Sequence, residues 1–200
     1  MRLVLASNNA KKLAELRELL APPGLEIVAQ GALGIAEADE PHATFVENAL
    51  AKARHAARAA GGAAIADDSG LVVYALGGAP GVRSARYAAL NGGAPGDAEN
   101  NRVLLERMQG MSDRRARFVA VLVALRRADD PEPLVATGRW DGEILPAPRG
   151  TGGFGYDPLM FIPALGRSVA ELAPAEKNAV SHRAIAAARM RDAMRQAWTL

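Results

Sequence analysis

The residues best suited to chemistry in this chain fall in five short stretches. Asp67-Asp68-Ser69-Gly70 sets two carboxylates side by side at the end of a run of small apolar residues. Adjacent carboxylates repel each other and call for a cation or a shared proton. Mg²⁺ takes such oxygens and bridges them to substrate phosphates. One carboxylate of such a pair can instead orient or deprotonate a water. Asp-Ser-Gly is equally a plain turn sequence. Glu40, in an acidic loop with Glu37 and Asp39, can add another oxygen ligand or be a surface acid.

Ser7-Asn8-Asn9-Ala10-Lys11-Lys12 stands where an apolar strand gives way to a helical pattern. N–H groups at a helix start favour anions, and the short donors and ammonium groups suit phosphate. The same residues also read as an N-cap followed by solvated lysines. Phe45, Asn48 and Lys52 are three and four apart, on one helical face. That face is either a core edge with a snorkelling lysine or the wall of a polar site. Gly150-Thr151-Gly152-Gly153-Phe154-Gly155-Tyr156-Asp157-Pro158 formally contains a dinucleotide fingerprint. A proline follows it, however, where the fingerprint requires a helix. A glycine loop with Phe154 and Tyr156 beside Asp157 suits a flat ligand, since an aromatic face stacks on a base for about 1–3 kcal/mol. It also suits a tight turn with its rings in the core. Lys177, His182 and Arg183 surround another helix start and offer donors to phosphate or to base oxygens. A Ser-His-Arg helix start is otherwise a capped surface helix. His42, His55 and His182 lack helical metal-ligand spacing, which argues against zinc.

The elements that must position these groups are legible in outline. Residues 2–6 read as a strand, and 10–20 as a helix with Leu13, Leu16, Leu19 and Leu20 on one stripe. Pro22-Pro23-Gly24 ends that helix, and 25–29 form a second strand. Thr44 to Glu47 is a capping box opening a helix that Gly61-Gly62 stops. Residues 63–66 run as a short strand into the Asp-Asp-Ser-Gly stretch, and 71–75 continue extended. Residues 77–96 form a long loop, after which Asp97 caps a helix to about Gln109, with Gly110 at its end. Residues 118–125 form a strand buried on both faces, with 134–144 as antiparallel partner across the 129–133 turn. Ser181 caps a last helix with Ile185, Ala186, Met190 and Met194 inward.

Composition excludes several classes. Half of the 200 residues are hydrophobic and the net charge is +2, which is not a disordered chain. No apolar run is long enough for a membrane span, and the first residues carry too short an apolar stretch for a secretory signal. Absence of cysteine removes disulfides, thiolate nucleophiles and Cys-based metal sites, and fits a cytoplasmic protein. Interspersed acids and bases give no nucleic-acid-binding face. Lysine is scarce: Lys11, Lys12, Lys52 and Lys177 are the four, against 24 basic residues in all, and each lies in or beside one of the stretches above.

Six motifs occur in order: Ser7-Asn8-Asn9-x-x-Lys12, Thr44 to Ala53, Asp67 to Leu71, Pro80 to Tyr87, Gly152 to Pro158, and Ser181-His182-Arg183. With them the chain closely resembles the inosine/xanthosine triphosphate pyrophosphatase family of housecleaning purine nucleotide hydrolases, over residues 2–195. The resemblance implies one α/β domain across residues 1–200. It would be an elongated mixed β-sheet with flanking helices, in two lobes around a central nucleotide cleft, assembled as a homodimer; composition, as above, gives it no nucleic-acid or membrane partner and a cytoplasmic place. It implies Mg²⁺-dependent hydrolysis of dITP, ITP and XTP to the monophosphate and pyrophosphate. Carried over residue by residue, Ser7, Asn8, Asn9, Ala10, Lys11 and Lys12 hold the triphosphate, with Asn48 and Lys52 completing the phosphate end. Glu40 and Asp68 bind Mg²⁺, and Asp68 is the base for water attacking the α-phosphorus. Ser69 contacts substrate. Phe154, Gly155, Tyr156, Asp157, Lys177, His182 and Arg183 hold base and sugar. Met160 and Ser168-Val169 depart from the family's usual residues without touching this chemistry. The rival readings are a Maf-like nucleotide pyrophosphatase and a non-catalytic nucleotide-binding module.

Overall fold

A computed structural model of the chain describes residues 2–20 and 25–198. Seven strands form one open mixed sheet in the order β2-β1-β3-β4-β5-β6-β7. They are β1 (Arg2–Leu5), β2 (Glu26–Ala29), β3 (Ala64–Val73), β4 (Arg115–Leu125), β5 (Leu134–Ile144), β6 (Met160–Ile162) and β7 (Arg167–Ser168). The helices are α1 (Ala10–Leu20), α2 (Phe45–Ala60), α3 (Asp97–Arg107), α4 (Pro174–Val180) and α5 (His182–Trp198). β1 pairs in parallel with β2 and β3, whereas β6 pairs antiparallel with β5 and β7. The Pro22-Pro23-Gly24 helix stop lies outside the described residues.

The chain divides into two compact units. The first comprises Met1–Asp68, Ala120–Gly138 and His182–Leu200. Its core is built from Leu3, Leu5, Leu16, Leu20, Ile65, Leu122, Met190 and Met194 with alanines between them, and α1 packs on α5. Thr44 caps α2 by accepting the Glu47 N–H, and Gly61 ends it in the left-handed conformation at φ 63°. The reciprocal half of the capping box differs from expectation: the Glu47 carboxylate takes the Thr44 hydroxyl. Ala49, Ala53, Ala56 and Ala57 are fully buried along α2, where small side chains of high helix propensity let the backbone lie close to β1. Gly138 in β5 serves a similar purpose for α5. A Cβ there would stand 1.8 Å from the His182 carbonyl oxygen, so only glycine admits the start of that helix.

The second unit comprises Ser69–Val119 and Arg139–Ser181. Its core contains aromatic rings: Tyr87, Phe118 and Tyr156 pack with Leu71, Leu104, Met108, Ile144 and Leu159. The stretch 77–96, expected as one long loop, contains tight 3-10 turns at Gly81–Arg86 and Ala89–Asn91. α4, which carries Lys177, was not expected from the hydrophobic pattern; seven residues are too short to show a period.

Candidate active site

In the first unit, acids and ammonium groups meet in pairs. The Asp-Asp-Ser-Gly stretch makes no turn. β3 runs unbroken from Ala64 to Val73 through it, because its backbone is paired and its flanks, Ile65 and Leu71, are buried. Successive strand side chains alternate in direction, so the two carboxylates share no proton and each has its own ammonium. Asp67 Oδ2 lies 3.0 Å from Lys12 Nζ and 3.7 Å from the Arg183 guanidinium. Burial works against its ionisation, yet Lys12, Arg183 and Lys52 outweigh burial and hold the carboxyl well below the usual carboxylate range. Asp68 accepts a 2.9 Å bond from Lys52 Nζ on Oδ1, while its buried Oδ2 has no hydrogen-bond partner. Burial pushes its carboxyl up to about 6 against the pull of Lys52. Lys52 also donates to Glu40 Oε1 at 2.6 Å, and the two carboxylates keep its ammonium charged despite burial. Glu40 is therefore the acid of its loop that reaches this position, while Glu37 and Asp39 are exposed.

The loop bearing Glu40 is held from α2. Asn48, buried, accepts the His42 N–H at 3.0 Å and donates to the His42 carbonyl at 3.2 Å. His55 adds a 3.0 Å contact to the Ala36 carbonyl. Asn48 thus bonds to the loop's backbone rather than projecting into solvent. At the start of α1, Asn9 Oδ1 accepts the N–H groups of Lys11 and Lys12, both at 3.1 Å, and Ser7 Oγ accepts the Asn9 N–H. Asn9 is the helix cap; Asn8, Ala10 and Lys11 are exposed beside it. His182 and Arg183 open α5, both buried. The Arg183 guanidinium bonds to Glu15 on α1 as well as meeting Asp67. Sequence reasoning missed Glu15, which carries no motif of its own.

In the second unit the glycine loop is organised around Asp157. Its Oδ2 accepts the Phe154 N–H at 2.9 Å and Lys177 Nζ at 2.8 Å. Lys177 Nζ also stands 4.4 Å from the centroid of the Phe154 ring, a cation–π contact. Gly153, at φ 72°, is packed so closely that a Cβ would lie 2.1 Å from Asp157 Oδ2. The loop's two rings part ways. Phe154 is half-buried, but Tyr156 is a core residue whose hydroxyl donates to the Ser84 carbonyl at 2.9 Å. Burial holds that phenol protonated far above its ordinary range. Ser69, first residue of this unit, is half-buried on β3.

The fold is an open mixed α/β sheet, whose first unit carries one ammonium between two acids and whose second carries a glycine loop with a half-buried ring. The chain belongs to the Ham1 family, whose model matches residues 3–193. It is 66% identical to the dITP/XTP pyrophosphatase of Methylibium petroleiphilum, over 99% of both chains. It is 63% identical to that of Leptothrix cholodnii, over the full length of each. Among solved structures, a HAM1 protein from Coxiella burnetii matches with a TM-score of 0.91 at 44% identity, covering 98% of this chain and 100% of that one. Among the described residues, no helix is long and apolar enough to cross a membrane.

Proposed function

We propose that this chain hydrolyses dITP, ITP and XTP to the nucleoside monophosphate and pyrophosphate. The observation that carries the reading is Asp68, a buried carboxylate beside Lys52 with one oxygen lacking a partner. Its family relatives, named for dITP and XTP, supply the substrate class. Asp68 takes a proton from the attacking water. The water oxygen bonds to the α-phosphorus as the bridging bond to the β-phosphate breaks, and pyrophosphate departs with that electron pair. Lys12 and Lys52 offset the charge that develops on the phosphate oxygens. Ser7 and Asn8, beside the exposed start of α1, receive the outer phosphates. Phe154 stacks on the base. Lys177 donates toward oxygens of the base. A 6-amino base would set donor against donor there, leaving buried groups unpaired.

Mg²⁺ suits the donor set. Glu40 and Asp68 converge on a single cationic position, held by Lys52, and Asp68 Oδ2 is an unsatisfied hard oxygen. Among the described residues no group of three or more His, Cys, Asp or Glu could hold a metal. A pair of carboxylates is nonetheless what Mg²⁺ ordinarily takes from a protein, the remaining ligands being waters and substrate phosphates. When bound, the ion would neutralise charge on the phosphates. Self-association as a homodimer belongs to this reading, and light scattering at assay concentration reads it directly.

A panel of purine nucleoside triphosphates with pyrophosphate detection, with and without chelator, tests the reading. Turnover of dITP and XTP well above ATP, with pyrophosphate as product, is expected. Release of orthophosphate, or equal turnover of ATP and dITP, overturns it.

A further inference from the structure

α3 carries three polar residues whose side chains reach beyond the helix to loops. Asp97, expected as its N-cap, is already inside the first turn; Gly96 holds the cap position with no side-chain bond. The Asp97 carboxylate instead accepts the Gly155 N–H at 2.7 Å, across 58 residues of sequence. One turn on, Asn101 donates from Nδ2 to the Gly155 carbonyl at 2.8 Å and to the Asp97 carbonyl at 2.9 Å. Gly155 is thus gripped at both its N–H and its carbonyl from one helix. It sits at φ 61° between Phe154 and Tyr156, so its placement sets the backbone from which the Phe154 ring projects. Asn100, beside Asn101, does the same for the other loop of this unit. It accepts the Ala88 N–H at 2.8 Å and donates to the Ala85 carbonyl at 3.1 Å. Two adjacent buried asparagines are poor helix formers, and burying an amide costs free energy unless its bonds are made. Their presence marks a demand from the loops.

Building on the reading of Phe154 as the base-stacking ring, we propose that Asp97 and Asn101 are positioning residues for the nucleobase, acting through the backbone of Gly155. They touch no substrate; they hold the loop in the shape that presents the ring. Neither residue belongs to a motif singled out for chemistry, and the effect falls on base binding rather than on attack at phosphorus.

The test is steady-state kinetics on dITP with Asp97→Ala, Asn101→Ala, Asp97→Asn and Phe154→Ala, singly and combined. Asp97→Ala and Asn101→Ala raise KM about tenfold with kcat within twofold. Asp97→Asn, which keeps an oxygen acceptor for the Gly155 N–H, returns KM to within threefold of the parent. In the Phe154→Ala background, Asp97→Ala adds nothing further, since the ring it positions is gone. Amide hydrogen exchange over residues 153–157 accelerates in Asp97→Ala while β4 stays protected, which separates loop release from global loosening. Should Asn101→Ala fail to fold, the exposed Asp97 pair of variants still decides. If Phe154→Ala raises KM and Asp97→Ala does not, the positioning role is overturned while base stacking stands. Equal effects of Asp97→Ala with and without Phe154 overturn it too. If Phe154→Ala leaves KM unchanged, the base-stacking reading falls and takes the proposal with it.

Discussion

The two units solve the problem of holding functional groups in opposite ways. In the first, charged side chains stand on regular elements: Asp67 and Asp68 on β3, Lys12 on α1, Lys52 on α2, each acid met by a cation. In the second, the organising atoms are backbone N–H and carbonyl groups of a glycine loop, held from within by Asp157 and from outside by Asp97 and Asn101. A strand or helix places a side chain by its own period. An irregular loop must be told where to lie by partners distant in sequence. Substitutions in the first unit's cluster should therefore act on turnover, and those in the second on stability and substrate affinity.

The largest effect falls on the first unit. With Asp68 as the proposed base, Asp68→Asn removes the acceptor for the water proton and lowers kcat for dITP by about 10²–10⁴-fold, with substrate still bound. Pyrophosphate release measured at saturating dITP checks it, and a rate near that of the parent breaks the assignment of Asp68 as base. The matching lesion in the second unit is Lys177→Met. It leaves the Asp157 carboxylate, 3% exposed, without its ammonium, which costs roughly 3 kcal/mol or more. Denaturant unfolding reads that cost. Lys52→Met makes the control, because Asp68, its carboxyl already pushed up to about 6, takes up a proton once Lys52 is gone and Glu40 is partly open to water; it should lose less stability and far more activity. If the two lysine variants behave alike, the contrast between the units is false.

How much of this was legible in the sequence follows the same division. The α2 cap at Thr44, the stop at Gly61 and the clustering of Phe45, Asn48 and Lys52 on one face all follow from local rules, and the structure has them. Lysine scarcity singled out residues that the structure pairs with buried carboxylates: Lys12, Lys52 and Lys177 each meet one. Local rules failed where tertiary context decides. Asp-Ser-Gly has turn chemistry, but strand pairing and buried flanks keep β3 straight. Asp97 has cap chemistry, yet its carboxylate serves a loop 58 residues away. Tyr156 lies in a ligand-like motif, and only the packing of Leu71, Val73 and Phe118 reveals it as core. Arg183 sits in a substrate-like motif, and Glu15, which it binds, has no local signature.

A glycine pair probes the loop without touching any charge. Gly153→Ala must accept a left-handed φ of 72° and a Cβ 2.1 Å from Asp157 Oδ2. Overpacking of that kind costs about 1–3 kcal/mol, and Asp157, once displaced, releases the Phe154 N–H. Gly155→Ala meets open space at φ 61° and bears only the left-handed penalty of about 1 kcal/mol. Denaturation midpoints should rank Gly153→Ala below Gly155→Ala. The reverse order would mean that Asp157 does not organise the loop.

The smallest effect isolates a charge in the first unit that lies outside its cluster. Asp130, buried in the 126–133 connection between β4 and β5, accepts the N–H groups of Arg126 at 3.0 Å and Glu132 at 3.1 Å. Burial raises its carboxyl, but these two bonds and the Arg126 guanidinium outweigh burial and hold it below the usual carboxylate range. A depressed folded value means stability fully present above the unfolded carboxylate's range of about 4, and lost as pH falls through the folded value. Asp130→Asn should therefore cost about 1 kcal/mol at pH 7 with kcat and KM unchanged. The gap from the parent should close as pH drops below about 4. Urea titrations at pH 7 and pH 3 measure both ends. A gap of constant size would show that the amide fails for shape rather than charge. A fall in kcat would carry the first unit's sensitivity to charge beyond the residues around β3, and the division between the two units would have to be redrawn.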